Sequence, residues 1–185
     1  MLAPVLRRLD TALLRLMRTR AHGPAAESAM RALGSAGEWG AIWVGGGLAA
    51  AALDRRRRGR WVIAAAIGPL AVGANFAVKL AVRRERPRLD GLPPLAAAPT
   101  ELSFPSAHAA SSLAAATAMA RVAPGARGPL YGLAALICLT RPYLGMHYPS
   151  DVLAGAALGT ALGRAWPGLG RDGTVRTAAA PGDRP

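Results

Sequence analysis

A set of polar side chains at the ends of apolar stretches could hold an anion in this chain of 185 residues. Cationic side chains pair with phosphate oxygens, and a guanidinium does so through two parallel hydrogen bonds. A serine that begins a helix adds a hydroxyl and free backbone amides, which can cradle a phosphate. The set comprises the side chains of Lys79, Arg86, Ser106, His108, Arg141, His147 and Asp151, together with the backbone amide of Ala107. These residue types predict a site for an anion, and phosphate fits them best.

Two histidines and one carboxylate in this set indicate chemistry as well as binding. His147 and Asp151 lie four residues apart across the predicted start of a helix. The carboxylate could therefore hold one imidazole nitrogen and leave the other free to attack. His108 is expected to point into the same cavity, whereas Ser106 also fits an ordinary N-cap. Metal ligation by the two histidines and Asp151 is the rival interpretation, but the neighbouring cations would repel a divalent ion, so no metal and no cofactor is predicted.

Five apolar segments are candidates for membrane-spanning helices, since about 20 residues are needed to cross a bilayer. They cover residues 37–53, 61–82, 106–123, 128–144 and 149–166. Pro69 would bend the second segment, which membrane helices tolerate. The stretch 83–103 contains four prolines and is predicted to be a surface loop.

The predicted spans bring the polar residues together. Lys79 lies near the end of the second span and Arg141 near the end of the fourth, while His108 and Asp151 lie near the starts of the third and fifth. Because successive spans alternate in direction, all four ends reach the same face of the membrane. A cytoplasmic site would suit a biosynthetic step, and an outward site would suit the recycling of a lipid carrier.

The first 22 residues predict an amphipathic helix rather than a signal peptide or a span. The apolar side chains fall on one helical stripe, and arginines lie largely opposite, a pattern typical of a helix in the headgroup plane. The alternative is a helix packed on protein. The stripe consists of Leu2, Val5, Leu6, Leu9, Leu13, Leu16 and Met17. Pro24 is expected to open a short second helix that runs to about Gly34.

Composition favours an all-α integral membrane bundle and disfavours a nucleic-acid-binding protein. Hydrophobic residues make up 52 % of the chain, and the net charge is +13. The arginines are clustered between apolar runs, which suits anionic lipid headgroups and anionic substrates. We expect one domain over residues 1–166, with the surface helix at 1–22 and the membrane core at 37–166, and a disordered tail at 167–185. The single Cys138 allows no internal disulfide.

Three blocks of the sequence resemble the signature of the type 2 phosphatidic acid phosphatase (PAP2) superfamily of membrane lipid phosphatases. The blocks are Lys79-x6-Arg86-Pro87, Pro105-Ser106-Ala107-His108 and Thr140-Arg141-x5-His147-x3-Asp151. The resemblance implies a metal-independent reaction in which His147 attacks phosphorus, Asp151 orients it and His108 protonates the departing alkoxide. It also implies that Lys79, Arg86, Arg141 and the region of Ser106 and Ala107 hold the phosphate.

The sequence departs from this signature at two positions and leaves the substrate open. Ala107 stands where the family usually has Gly, and Thr140 where it usually has Ser. The resemblance implies a multi-pass protein of the bacterial inner membrane whose partners are lipids and whose substrate is a lipid or polyprenyl phosphate monoester. Decaprenylphosphoryl-5-phosphoribose of arabinan precursor synthesis is one candidate substrate. A polyprenyl diphosphate phosphatase that recycles a cell-wall carrier is an alternative, and a non-catalytic membrane scaffold on the same fold is another.

Overall fold

The computed structural model describes residues 2–169, and its regular elements are helices, as the composition predicts. They are α1 (Leu2–Thr19), α2 (Pro24–Ala36), α3 (Ala41–Leu53), α4 (Arg58–Val82), α5 (Ala107–Val122), α6 (Arg127–Tyr143) and α7 (Pro149–Ala165). Short 3₁₀ turns occupy Glu38–Gly40, Arg55–Arg57 and Pro124–Ala126. In the described range, strand pairing is limited to one isolated bridge between Glu85 and Leu102.

The helix α5 lies at the centre of the bundle, in contact with α4, α6 and α7. Its alanines are small enough to let neighbouring helices approach closely, as is typical of membrane bundles. The buried residues of α5 are Ala109, Ala110, Ser111, Ser112, Ala114, Ala115, Ala116, Thr117, Ala118, Met119 and Val122. The same helix also carries His108 in its first turn, so the core of the bundle supports that side chain directly.

Glycines at a spacing of four residues bring α7 against the backbone of α5. A Cβ atom added at Gly155 or Gly159 would overlap the carbonyl oxygen of Ser106 or Ala110, respectively. A Cβ atom at Gly163 would lie 2.6 Å from the carbonyl oxygen of Ala114. Only residues without a side chain permit this approach. These three glycines form a ridge on α7, the glycine ridge, which holds the starts of α5 and α7 side by side.

The N-terminal helix α1 packs on the bundle and also keeps its apolar stripe exposed. Asp10, Leu14 and Arg18, four residues apart on one face, are buried against the rest of the protein. Val5, Leu6, Leu9, Leu13 and Leu16 on another face are each at least half exposed. α1 therefore packs on protein, which was the alternative to a helix in the headgroup plane. Its apolar stripe is nevertheless exposed. Arg18 is buried, and its Nη2 donates to the carbonyl oxygen of Pro93 at 2.6 Å.

The predicted boundaries of the spans need two corrections. α3 begins at Ala41 rather than at residue 37, because Trp39 and Gly40 adopt left-handed backbone conformations that interrupt the helix. α4 begins at Arg58, three residues before the predicted start of the second span at residue 61. α2 begins at Pro24 as predicted and ends at Ala36, two residues beyond Gly34.

Within the described residues, one continuous helical stretch, Arg55–Val82, is long and apolar enough to cross a membrane by itself. The helices α3, α5, α6 and α7 have 13 to 17 residues, fewer than the ~20 that a straight crossing needs. The predicted disordered tail lies mostly outside the described residues. Its first part is packed, since Leu169 is buried and its carbonyl oxygen accepts a hydrogen bond from Arg121.

Candidate active site

A pocket of about 210 Å³ opens where α4 and α6 end and α5 begins, beside the turn that precedes α7. Six of the eight predicted site residues line it: Lys79, Arg86, Ala107, His108, Arg141 and His147. Ser106 and Asp151 are fully buried behind this lining. Trp39, Val72 and Phe76 add an apolar part to the wall. The fold thus brings the predicted residues to one place, as the alternation of the helices requires.

His147 is almost fully buried and has its two ring nitrogens in different surroundings. Its Nε2 lies 3.2 Å from Nη1 of Arg86. Because a guanidinium can only donate, Nε2 is the acceptor and Nδ1 carries the proton in the neutral ring. Nδ1 faces Oδ2 of Asp151 at 3.6 Å and has no hydrogen-bond partner among the described residues. The predicted contact between these two groups is present, but 3.6 Å is too long for a hydrogen bond.

The electrostatic surroundings keep His147 neutral. Burial lowers the pKa of His147 well below its ordinary value of 6.5, and the nearby cations Arg86, Arg141 and Lys79 lower it further. A neutral imidazole keeps a lone pair on Nε2 at neutral pH, which a nucleophile requires.

Asp151 occupies the first turn of α7 and accepts hydrogen bonds on both carboxylate oxygens. The backbone N–H of Tyr148 donates to Oδ2 at 2.9 Å, which makes Asp151 part of the cap of α7. Nη1 of Arg84 donates to Oδ1 at 2.8 Å. A fully buried carboxylate needs such partners to remain charged.

The sequence interpretation did not find the role of Arg84. Arg84 is not among the predicted site residues, yet its guanidinium pairs with Asp10 as well as with Asp151. It also lies over the ring of Tyr148, 4.0 Å from the centroid. Arg83 and Arg88 are exposed. The available signal was Asp10, a lone acidic residue in a basic helix.

The three phosphate-binding candidates are cations held by uncharged groups. Nζ of Lys79 donates to the carbonyl oxygens of Leu102 and Ser103 at 2.9 and 3.1 Å. Arg86 donates to carbonyl oxygens in the same way, and burial lowers its pKa. Within residues 2–169, Lys79, Arg86 and Arg141 form no salt bridge. Buried cations without a counter-ion favour the binding of an anion.

At the start of α5, one residue caps the helix and others line the pocket. Oγ of Ser106 accepts from the backbone N–H of Ala109 at 3.5 Å, so its hydroxyl caps the helix, which was the ordinary alternative. The backbone N–H of Ser106 donates to the carbonyl oxygen of Asp151 at 2.9 Å. Ala107, at the position where the family that the sequence resembles usually has Gly, lines the pocket. Nε2 of His108 donates to the carbonyl oxygen of Gly34 at 3.0 Å.

The sequence predicted no role for two parts of the pocket wall, Asn75 and the end of α2. Asn75 is fully buried, donates to the carbonyl oxygen of Pro105 at 3.1 Å and keeps a side-chain oxygen without a partner among the described residues. Helix α2 approaches the site through glycines: a Cβ atom at Gly34 would lie 3.0 Å from Nη1 of Arg141, and one at Gly37 would lie 3.2 Å from Cδ2 of His108. The positions of Asn75 and of the two glycines do not follow from a pattern of polar residues, because the packing of the helices determines them.

The residues that the structure describes contain no group of three or more His, Cys, Asp or Glu side chains arranged to hold a metal ion. The two histidines and Asp151 of the rival interpretation do not form such a group, because Asp151 is engaged by Arg84 and Tyr148 and lies behind the pocket lining.

Known proteins are similar to this chain in sequence and in fold. Decaprenylphosphoryl-5-phosphoribose phosphatase of Mycobacterium tuberculosis is 45 % identical over 116 residues, which are 63 % of this chain and 64 % of that protein, so the match spans less than two thirds of its length. The protein of the same name from Mycolicibacterium smegmatis is 37 % identical over 146 residues, or 79 % of this chain and 80 % of that one. Among solved structures, the transmembrane PAP2-type phosphatidylglycerolphosphate phosphatase from Bacillus subtilis has the same fold, with a TM-score of 0.68 at 22 % identity and coverage of 86 % and 83 % of the two chains.

The family assignment rests on most of the chain. Residues 58–171 match the PAP2 superfamily, a range that begins with α4 and contains all three signature blocks. This chain belongs to the PAP2 superfamily, as its polar residues predict.

Proposed function

We propose that this protein is a membrane lipid phosphatase that hydrolyses a phosphate monoester through a phosphohistidine. One observation carries the proposal: the neutral imidazole of His147 lies in a pocket with three cations, Lys79, Arg86 and Arg141, that have no carboxylate partner among the described residues. The cations supply the positive charge that a phosphoryl group needs, and the imidazole supplies the nucleophile.

The proposed reaction has two steps. Nε2 of His147 attacks phosphorus while the bond to the leaving oxygen breaks, and His108 gives that oxygen a proton. Asp151 stabilises the positive charge that develops on the imidazole. His108 then takes a proton from water, which attacks the phosphohistidine, releases inorganic phosphate and regenerates His147. Arg86 must turn its hydrogen bond from Nε2 towards the phosphate before the first step can begin.

The proposed membrane arrangement has five spans, α3 to α7, with α1 as an interfacial helix in a multi-pass protein of the bacterial inner membrane. The apolar stripe of α1 supports this placement because it is exposed beside the bundle. The short helices α3, α5, α6 and α7 fit the arrangement if the membrane adapts to their length, at a modest energetic cost.

The proposed substrate is decaprenylphosphoryl-5-phosphoribose. The names of the two mycobacterial relatives support it. The pocket supports it as well, since it combines the apolar side chains of Trp39 and Phe76 with polar groups of Ser35 and Glu38 that can bind sugar hydroxyls. His108, His147 and Asp151 are all in place, which argues against a non-catalytic scaffold.

Phosphate release by the purified protein in detergent tests the proposal. With EDTA present, we expect release from the phosphoribosyl lipid, slower release from phosphatidic acid and polyprenyl diphosphate, and none from the His147→Ala variant. A complete loss in EDTA that a divalent ion restores would contradict the metal-independent reaction. Faster release from a polyprenyl diphosphate would instead favour the recycling of a lipid carrier.

A further inference from the structure

Asp10 of α1 joins the N-terminal helix to the first turn of α7. Its Oδ1 accepts a hydrogen bond from the backbone N–H of Ser150 at 2.9 Å, and its Oδ2 accepts from the hydroxyl of the same serine. The amides in the first turn of a helix have no partner within that helix, so Asp10 caps α7 from a distant part of the chain. Asp10 itself is only 7 % exposed.

The same carboxylate holds Arg84. Nη2 of Arg84 donates to Oδ2 of Asp10 at 2.7 Å, while Nη1 donates to Oδ1 of Asp151 at 2.8 Å. The ring of Tyr148 lies under the guanidinium. Arg84 is therefore fixed on three sides and bridges an acidic residue of α1 to one in the active site.

The bridge determines how Asp151 presents its carboxylate. With Oδ1 held by Arg84 and Oδ2 held by the backbone of Tyr148, the carboxylate cannot rotate freely, and Oδ2 remains directed at Nδ1 of His147. Without Arg84, one oxygen of a fully buried carboxylate would lose its partner, which is unfavourable enough to turn the group or to protonate it. Either change would weaken its hold on the imidazole.

We propose that Arg84 is a positioning residue that orients Asp151 towards His147, and that the docking of α1 through Asp10 holds Arg84 in this role. The inference rests on the proposed function, in which Asp151 stabilises His147. It makes α1 part of the active site, although none of the described side chains of α1 lines the pocket. The exposed stripe of α1 leaves the docked helix free to contact lipid at the same time.

Steady-state kinetics of matched variants test the proposal. Arg84→Gln should lower kcat about 10–100-fold with KM unchanged, as is typical when the partner of an active-site group is removed. Arg84→Lys should restore part of the loss, and Asp10→Asn should lower kcat less than Arg84→Gln does. Arg88→Gln and Asp90→Asn remove the same chemical groups at exposed positions and should behave like the wild type.

A double variant separates positioning from general damage to the fold. If Arg84 acts through Asp151, Arg84→Gln should cost less than about twofold in the background of Asp151→Asn, because coupled residues are not additive. Full additivity in that background would overturn the proposal. A higher KM with normal kcat would also overturn it, because Arg84 would then contact the substrate or a lipid headgroup.

Nitrogen NMR of histidine-labelled protein in micelles gives a reading that does not depend on turnover. The chain has three histidines, so the signal of His147 can be assigned from a His147→Ala sample. Arg84→Gln should shift the Nδ1 signal of His147 and leave that of His22 unchanged, and Arg88→Gln should shift neither.

The two readings distinguish failure of the positioning role from failure of the proposed function. A shifted His147 signal in a protein that releases no phosphate would contradict the phosphatase function but support the positioning role. An active wild type whose His147 signal is unchanged in Arg84→Gln would overturn the positioning role. If Arg84→Gln does not fold, Arg84→Lys and Asp10→Asn give the same two readings.

Discussion

The pocket has two walls that differ in how firmly they are held. The rigid wall consists of α5 and the turn 144–148, and α7 is packed behind it. It carries His147 and the adjoining Asp151, which are 3 % and 0 % exposed, and it is built on the backbone contact between α5 and α7. The open wall consists of α2, the turn Glu38–Gly40 and Phe76 of α4. Its aromatic residues Trp39 and Phe76 are 67 % and 46 % exposed.

We infer that the two walls have different roles in the reaction. Groups that must meet a phosphorus atom at a fixed distance belong on elements that cannot shift. Groups that accommodate a long lipid can tolerate movement. We therefore expect substitutions in the rigid wall to change kcat or stability, and substitutions in the open wall to change KM.

The largest effect is expected at the centre of the rigid wall. His147→Ala should abolish turnover of every substrate because it removes the nucleophile, while the protein still folds. Phosphate release and a thermal unfolding curve in detergent measure the two properties. Activity above a tenth of the wild-type value would contradict the assignment of His147.

A large but selective effect is expected at His108. General acid catalysis is typically worth ~10²–10⁴-fold, so His108→Ala should lose this much with an alkyl phosphate. The loss should be smaller with p-nitrophenyl phosphate, whose leaving group departs without much protonation. Asp151→Asn acts on the nucleophile and should impair both substrates equally. Equal losses for His108→Ala on the two substrates would mean that His108 only binds phosphate.

The stability of the protein should respond to a single methyl group added at the contact between α5 and α7. Gly159→Ala places a Cβ against the backbone of Ala110 and should lower the free energy of unfolding by about 1–3 kcal/mol, as overpacking usually does. Gly46→Ala, a matched change in a helix where nothing lies within 4 Å, should raise it by roughly 0.5–1 kcal/mol. Chemical or thermal unfolding in detergent compares them, and similar effects of the two changes would show that the ridge is not tightly packed.

A moderate effect confined to KM is expected in the open wall. Trp39→Ala removes an apolar surface from the pocket lining and should raise KM for a long-chain lipid phosphate about tenfold, which corresponds to ~1.4 kcal/mol. It should leave kcat and the hydrolysis of a short soluble phosphate unchanged. Leu53→Ala, an exposed apolar residue at the far end of α3, is the control. A fall in kcat would place Trp39 in the rigid wall instead.

The smallest effect concerns the response of stability to pH. Because the pKa of His147 is lowered in the folded protein, the unfolded chain binds a proton more readily below pH 6.5. The folded state should therefore lose up to about 1.4 kcal/mol per pH unit from this residue as the pH falls below 6.5. His147→Asn lacks the group, so its unfolding temperature should fall less between pH 7 and pH 5. Parallel curves would indicate that His147 is not buried as a neutral ring.

The sequence was sufficient for the parts of the site that local patterns encode. The alternation of helices brought Lys79, His108 and Arg141 to one pocket. Ser106 as an N-cap and Pro24 as a first helical residue marked the starts of α5 and α2. The break at Trp39 and Gly40 was missed because both residues continue an apolar run, and the close packing of Gly40 against Gly68 is a long-range contact that no local pattern shows.

Long-range pairing was the main limit of prediction. Arg84 lies among several arginines of similar appearance, and its partner Asp10 is 74 residues away in the sequence. No periodicity connects two such positions. The glycine ridge of α7 has a visible spacing of four, but the spacing does not say which helix packs against it. Both features depend on which surfaces meet in three dimensions.

The hydrogen bond between Arg86 and Nε2 of His147 has a consequence for chemical selectivity. This bond covers the lone pair of the nucleophile with a guanidinium, so an uncharged electrophile would find no free nitrogen to modify. A phosphate draws the guanidinium to itself through stronger, charge-assisted hydrogen bonds, and thereby uncovers the nitrogen that attacks it. The substrate itself therefore exposes the nucleophile. Until a phosphate binds, the reactive imidazole is protected from the other electrophiles that a lipid phase dissolves.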